Sequence, residues 1–352
     1  MKALTIIIAI TVGVAFGLFN GIKKEKPIYW KLIVIAWMII AILMNLLPPV
    51  AGNYYDLMNY TTSDDPTMMV LIETDNPNEN HYIEANNEWH IMARDQQLGQ
   101  SKQIIIPGKS LPLEFKQKNK IIAELEYKGT LDSFIYHSTI SVNPVMVYPY
   151  IPGLGEKVRL INIHVPVAWV AVLAYLLAMF YSIRYLRTSD LDNDIKASSS
   201  AFLGTVFAIL ATVTGMVWAK ANWGSYWNWD PRETSIFILL LIYFAYFALR
   251  NALTKKEVRA RLSSVYAIIA FFTVPFFVFI MPRISEGLHP GSGSEDDLGP
   301  VMGGGSMLDS DLLATFGVSF AAFTLLFFWL LNLNFRSKKL ELKINRRNIN
   351  DE

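Results

Sequence analysis

Two of the five histidines stand where an apolar run of the sequence meets a polar segment. His164 lies in Ile-His-Val-Pro at the start of one apolar run, and His289 lies in Gly-Leu-His-Pro shortly after another. Neutral imidazole is a common metal ligand, and two imidazoles can bind one iron from opposite sides. Considered alone, however, this pair is interpreted as one interfacial residue and one loop residue.

A tryptophan-rich segment changes that interpretation. Four of the nine tryptophans fall in Trp218–Thr234, which reads WAKANWGSYWNWDPRET. An interfacial aromatic belt would be spread over many span ends, whereas three of these tryptophans crowd around Gly224 beside an Asp-Pro turn. Broad indole rings suit a flat, apolar macrocycle, and Gly224 would let the backbone approach it closely. These residue types predict a heme between the two histidines.

The same segment resembles the WWD motif of the heme-handling proteins of cytochrome c maturation. His-Val-Pro-Val-Ala-Trp, beginning at His164, is similar to the first flanking histidine of the CcmC-type members, and His289 falls where the second is expected. The resemblance covers roughly Leu32–Val50 and Ile163–Asn332. It implies a b-type, non-covalent heme with both histidines as axial iron ligands. The other heme-binding residues that it implies are Trp223, Gly224, Trp227, Trp229 and Asp230.

Cations near the motif are candidates for pairing with the heme propionates, because carboxylates favour charge-assisted hydrogen bonds. Arg232 and Lys220 lie within the segment itself, and Arg283 is a third candidate. No catalytic residue is predicted.

Three functions remain open at this point. The first is heme binding at the periplasmic face and delivery for cytochrome c maturation. The second is a cytochrome c heme lyase (synthase) of the CcsA type. The sequence Trp-Asp-Pro-Arg-Glu-Thr is similar to the corresponding motif of that type. Members of that type carry further histidines inside their spans, and none lies mid-span here. A transporter of another small molecule ranks third, because paired ionisable residues at mid-span depth are missing.

The expected partners follow from the same resemblance and from composition. They are heme, membrane lipids, and either other cytochrome c maturation subunits or a periplasmic heme chaperone or apocytochrome. A net charge of +1 argues against nucleic acid, which needs a basic surface. The chain has no cysteine, so any thiol chemistry must use a partner's thiols.

The elements that position these residues are predicted to be membrane spans. Hydrophobic residues make up 53% of the chain and charged residues only 17%. A helical span needs ~20 mostly apolar residues, and about seven segments approach that length. The predicted fold is an all-α polytopic membrane protein with an inserted periplasmic β domain. The segments are Leu4–Phe19, Leu32–Val50, Val165–Ile183, Ala201–Ala219, Ile236–Leu249, Ser263–Met281 and Leu312–Asn332.

Basic residues near the span ends predict the orientation, since lysine and arginine are retained in the cytoplasm. With simple alternation, every basic cluster falls on one side, and the histidines and tryptophan loop fall on the other. This pattern is typical of a multi-pass protein of the bacterial inner membrane with its heme site facing the periplasm. Leu4–Phe19 could also be a signal-peptide core, but a retained helix is favoured. The clusters are Lys23, Lys24, Lys26 and Lys31; Arg184 and Arg187; Lys255, Lys256, Arg259 and Arg261; and Arg336, Lys338, Lys339, Lys343, Arg346 and Arg347.

The predicted domains are two N-terminal spans in 1–50, a periplasmic β-rich insert in 51–162, five helices in 163–335 with the loop at 218–234, and a cytoplasmic tail in 336–352. The insert contains short β-prone runs separated by turn clusters. His81, His90 and His137 of the insert are interpreted as ordinary surface residues. The β-prone runs are Met68–Glu73, His90–Arg94, Gln103–Ile106, Leu113–Phe115 and Ile121–Tyr127.

Overall fold

The structure is a computed structural model that describes residues 2–62, 64–129, 133–289 and 310–350. The chain divides into two compact units. One is a β unit formed mainly by Leu46–Val158, and the other is a helical unit that contains most of the remaining described residues.

The helical unit contains the long helices and one four-residue helix, while another short helix belongs to the β unit. Within the described residues the helices are α1 (Lys2–Leu18), α2 (Ile28–Leu46), α3 (Tyr54–Tyr60), α4 (Val158–Thr188), α5 (Leu191–Trp223), α6 (Pro231–Ala252), α7 (Lys256–Pro275), α8 (Met281–Ile284) and α9 (Ser310–Asn350). A π-helical turn, Phe276–Ile280, joins α7 to α8.

Six of the described helical segments are long and apolar enough to cross a membrane. They contain α2, α4, α5, α6, α7 with α8, and α9, whereas the apolar part of α1 is shorter, Leu4–Leu18. The structure thus confirms a helical polytopic protein with a β region inserted after α2.

Most helices extend beyond the predicted apolar segments, because their capped ends are polar. Asp190, for example, caps α5 by accepting a hydrogen bond from the Asp192 amide, 2.9 Å away. The prediction for Leu32–Val50 is wrong at its C-terminal end. Helix α2 ends at Leu46 ahead of two prolines, which cannot donate backbone hydrogen bonds, and Val50 begins a strand.

Helix α9 forms the centre of the helical unit. In the most apolar stretch of α9, 67% of the residues are buried inside the protein, whereas in that of α2 only 22% are buried. Most of α2 therefore lies on the outside of the helical unit. The core also contains the stacked rings of Tyr175 and Tyr243, whose centroids are 3.5 Å apart. A bidentate ion pair joins Arg250 of α6 to the buried Asp194 of α5 at 2.7 and 2.9 Å.

Helix α1 packs closely on α9 through a Gly-xxx-Gly face. A Cβ atom added at Gly13 would lie 3.1 Å from Cβ of Thr324, and one added at Gly17 would overlap the ring of Phe328. Small residues with this spacing let two helix backbones approach within a membrane. The contact places α1 in the same packed unit as the six longer segments.

The β unit contains a five-stranded closed barrel with one further edge strand, and a separate sheet of two short parallel strands. The ring order is β2-β6-β7-β5-β4, closed by pairing of β2 with β4, and β3 extends the edge of β4. All ring pairs are antiparallel except β5 with β7. This is the topology of an OB barrel. The strands are β1 (Val50–Ala51), β2 (Thr67–Thr74), β3 (His81–Ile83), β4 (Glu88–Asp95), β5 (Ser101–Pro107), β6 (Lys120–Tyr127), β7 (Ser133–Val142) and β8 (Tyr148–Pro149).

Sequence patterns located four of the five barrel strands and missed β7. The prediction of a strand at Leu113–Phe115 is wrong, since Leu113–Lys116 is a 3-10 turn. Pro112 precedes it, and its carbonyl accepts a hydrogen bond from the Phe115 amide at 3.2 Å, which closes the turn.

The remaining histidines of the β unit have ordinary partners. His90 Nε2 lies 2.8 Å from Oε1 of Glu88, and His137 Nε2 lies 2.8 Å from Oε2 of Glu126. His81 is exposed and sits opposite His90 in the β3–β4 ladder.

We predict that Gly13→Leu destabilises the protein by about 1–3 kcal/mol, because the new side chain overpacks the contact between α1 and α9. Thermal unfolding of the detergent-solubilised protein measures the change. Val12→Leu is the matched control, since Val12 is 53% exposed and lies off this contact. Equal melting temperatures for the two variants would show that α1 does not contribute to the packed unit.

Candidate functional site

The tryptophan-rich segment connects the end of α5 to the start of α6. Gly224 caps α5 in the left-handed region, at φ +78°, and its amide donates to the Lys220 carbonyl at 3.2 Å. A residue with a side chain would be strained in this conformation. The end of α5 therefore explains the glycine at position 224, in addition to any close approach to a ligand. The Lys220 ammonium donates to the Gly224 carbonyl at 2.7 Å.

Helix α6 begins with a capping box built on Asp230. The Asp230 Oδ1 atom accepts a hydrogen bond from the Arg232 amide at 2.9 Å. In return, Glu233 Oε2 accepts from the amides of Asp230 at 3.3 Å and Asn228 at 2.7 Å. Pro231 occupies the first helical position, where its missing N–H is not needed. The sequence Asp-Pro-Arg-Glu therefore makes both a turn and a rigid helix start.

The Asp230 carboxylate also holds the segment that contains His289. Its Oδ2 atom accepts from the Leu288 amide at 2.7 Å, and its Oδ1 atom lies 2.7 Å from Nδ1 of His289. Burial alone would raise the pKa of Asp230, but the hydrogen bonds from His289 and from the Arg232 and Leu288 amides lower it to about 2. The carboxylate is therefore anionic across the physiological pH range.

The aromatic rings form two small groups around this junction. The His289 ring packs edge-on against Trp223, with centroids 4.6 Å apart. The Trp227 ring is perpendicular to the Trp229 ring, with centroids 5.8 Å apart, and its centroid lies 6.5 Å from that of Phe237 on α6. Trp229 is 71% exposed and adopts φ +56°, a region that bulky residues rarely enter. Residues held in such rarely populated backbone conformations cluster at functional sites.

His164 lies inside α4, which begins before it at Val158. Its Nδ1 atom is 3.0 Å from Oγ1 of Thr214 on α5. The Thr214 hydroxyl hydrogen is directed to the carbonyls of Leu210 and Ala211, at 2.9 and 3.1 Å. With its hydrogen used in this way, we assign the hydroxyl as the acceptor from His164, which puts the ring hydrogen on Nδ1 and the lone pair on Nε2.

The neutral form of His289 has the same tautomer, because the Asp230 carboxylate can only accept. Each histidine therefore has Nδ1 held by the protein and Nε2 available as a donor atom to a metal. The donor set fits an iron with two axial imidazoles.

Two glycines provide the space that these contacts require. A Cβ atom at Gly215 would lie 3.0 Å from Cε1 of His164. A Cβ atom at Gly287 would lie 2.7 Å from Oδ2 of Asp230 and 2.9 Å from Cδ of Pro231. Gly215 thus admits the imidazole against α5, and Gly287 lets the chain before His289 approach the capping carboxylate.

The candidate cations occupy different surroundings. Lys220 is engaged with Gly224 and lies over the Tyr226 ring, 5.6 Å from its centroid. Arg283 donates to the Phe279 carbonyl at 2.6 Å. Arg232 is half-buried in the first turn of α6.

The structure brings His289, Asp230 and Trp223 into one contact group and adds residues that the sequence interpretation missed. These are Thr214, Gly215, Glu233, Gly287 and Leu288. For Glu233 the signal was the capping-box spacing Asp-x-x-Glu. For the others the signals were a Thr-Gly pair within a span and a glycine two residues before His289, and both are common in membrane helices and loops.

Comparison with known proteins shows which family the chain resembles. Residues 134–350 match the family described as heme exporter protein C, CcmC. The heme exporter protein C of Bradyrhizobium diazoefficiens is 32% identical over 173 residues, which cover 49% of this chain and 63% of that protein. The Escherichia coli protein of the same name is 30% identical over 139 residues, 39% of this chain and 56% of its own length. The chain spans about three-fifths of the length of these curated relatives.

A cytochrome c biogenesis protein CcsA from Ranunculus macranthus is 35% identical over a shorter stretch of 113 residues, 32% of this chain and 35% of that protein. The segment that matches the CcmC family is longer and contains both histidines and the tryptophan-rich loop. Because that match extends over more than half of the chain, this protein belongs to the heme exporter protein C (CcmC) family.

Proposed function

We propose that this protein binds heme between His164 and His289, against the tryptophan-rich loop, and delivers it for cytochrome c maturation. The observation that carries the proposal is the common state of the two imidazoles. Each has Nδ1 hydrogen-bonded to a protein acceptor and therefore offers Nε2 to the iron.

The loop would provide the surface for the porphyrin. Trp223 already contacts the His289 ring, and Trp227 and Trp229 place indoles nearby in the same segment. Indole faces pack well against a flat apolar ring while their N–H edges remain available to polar groups. Arg232 is the cation that we assign to a heme propionate, since it lies two residues after the capping aspartate, in the first turn of α6.

Binding would be non-covalent and b-type. The chain contains no cysteine that could form a thioether to a heme vinyl group. In this proposal the protein coordinates, orients and releases the heme, which is the work of a delivery protein. The names of its relatives, heme exporter protein C, agree with this role.

A heme lyase of the CcsA type is the second candidate, supported by the similarity to the Ranunculus protein. Such a protein would hold a second heme within the membrane. Of the five histidines, only His164 lies in a described spanning helix, which favours delivery.

We place the site at the periplasmic face of a bacterial inner membrane, in a seven-span protein in which α1 is the additional span. Basic residues follow α4, α6 and the membrane part of α9, and alternation then puts the loop after α5 on the opposite side. The acceptor would be another maturation subunit, a periplasmic heme chaperone or an apocytochrome.

The heme assignment predicts about one heme per chain, with a low-spin bis-imidazole absorbance spectrum, in the detergent-purified protein. His164→Ala and His289→Ala should each change that spectrum, because each removes one axial nitrogen. Quantified heme and absorbance spectra of the oxidised and reduced protein measure the effect.

His137→Ala is the matched control, since His137 lies on the β unit and pairs with Glu126. Its spectrum should equal that of the wild type. Two hemes per chain would favour the lyase. Absence of heme after reconstitution, or unchanged spectra in both ligand variants, would contradict the proposal.

The orientation can be tested with single cysteines, because the natural chain has none. Ser225 in the tryptophan loop and Thr254 after α6 are both exposed and lie beyond opposite ends of one span. A membrane-impermeant maleimide added to intact spheroplasts should label Ser225→Cys and leave Thr254→Cys unlabelled until the membrane is opened. The reverse labelling pattern would place the heme site in the cytoplasm.

A further inference from the structure

The two candidate iron ligands are supported by acceptors of different charge. His289 donates from Nδ1 to the carboxylate of Asp230 at 2.7 Å, and this carboxylate is fully buried. His164 donates from Nδ1 to the neutral hydroxyl of Thr214 at 3.0 Å. The same ring atom of each ligand therefore meets a full negative charge in one case and a dipole in the other.

This difference changes the donor strength of the opposite nitrogen. A hydrogen bond to an ionised acceptor is roughly twice as strong as one between neutral groups, and it draws the Nδ1 proton toward the acceptor. The imidazole then gains anionic character, and its Nε2 lone pair becomes a stronger donor to iron. The Thr214 hydroxyl provides less of this effect because it is a neutral acceptor, whereas the Asp230 carboxylate is an anion.

The surroundings of His289 also hold its ring in place. The neighbouring Leu288 amide donates to the other oxygen of the same carboxylate at 2.7 Å, and Trp223 covers the ring edge-on. Asp230 is itself fixed as the N-cap of α6. The Asp230 carboxylate thus both strengthens His289 as a donor to iron and fixes the position of its ring.

We propose that His289 is the retained iron ligand and that His164 is the ligand exchanged when heme passes to an acceptor, with Asp230 and Thr214 as the positioning residues that create the difference. This inference rests on the proposed heme-binding function. In the exchange, His164 Nε2 gives up one coordinate bond and regains its free lone pair. A lone-pair donor of the acceptor forms one coordinate bond in its place. Neither electrons nor protons are gained or lost.

The first test compares how well the two ligand variants keep heme. His164→Ala should retain near-stoichiometric heme with a five-coordinate, histidine-ligated spectrum, and added imidazole should restore the six-coordinate spectrum. His289→Ala should lose most of its heme during purification, because only the weaker ligand remains.

The second test removes the charge of Asp230 while keeping its role as a helix cap. Asn caps helices about as well as Asp, so Asp230→Asn keeps the start of α6. It removes the charge and also exchanges one acceptor oxygen, the one that faces the Leu288 amide, for an amide nitrogen. We expect its heme affinity to fall by about 10–100-fold, the usual cost of losing a support behind a metal ligand. We also expect a higher midpoint potential, since the anion favours ferric iron. Thr214→Val, which removes the neutral acceptor at nearly constant volume, should shift both quantities less. Melting curves of the heme-free variants verify folding.

Three results would overturn the inference while leaving the proposed function intact. They are equal heme loss in the two histidine variants, greater loss in His164→Ala than in His289→Ala, and a midpoint potential unaffected by Asp230→Asn. A wild-type protein that binds no heme would overturn the proposed function and this inference together.

Discussion

One buried carboxylate organises the candidate site of the helical unit. Asp230 accepts hydrogen bonds from the first turn of α6, from the Leu288 amide and from the His289 ring. A charge with so little exposure is stable only when its oxygens are saturated with donors, and here donors come from two segments almost sixty residues apart in sequence. Any change that moves the start of α6 therefore also moves His289. The position of this candidate ligand depends on the same carboxylate that caps the helix.

The second half of the site is built differently. His164 is carried within a long helix and is supported by a side chain of the adjacent helix α5, so helix packing rather than a cap sets its position. Gly215 on α5 makes that packing possible, just as Gly287 allows the chain to approach Asp230. A helix cap at His289 and a helix–helix contact at His164 thus each hold Nδ1 of the ring, and in both cases Nε2 is the nitrogen proposed to bind iron. Because both histidines reach the site from separate elements, the fold of the whole helical unit is needed to bring them into use.

Sequence analysis could identify the spans, the tryptophan loop and the histidines, because these depend on residue type and local pattern. Apolar runs indicate helices directly, and a cluster of tryptophans is rare enough to be noticed. Thr214, Gly215 and Gly287 could not be found in this way, since their importance comes from side chains fifty or more residues away. The barrel shows the same limit. Its strands are partly visible as β-prone runs, but β7 was missed, and the closing pairs β2–β4 and β5–β7 are non-local.

A protein that delivers a ligand must hold it firmly and still be able to release it. Two equally strong axial bonds would favour retention, because both would have to weaken before an acceptor could enter. Two weak bonds would favour loss to the surrounding membrane. In the site that we propose, unequal supports on otherwise identical imidazoles would resolve this conflict without any change of ligand type. The inequality comes from the acceptors behind the rings, an aspartate that the helix start already requires and a threonine that α5 already contains. Delivery chemistry can thus arise from groups whose first role is to complete the fold.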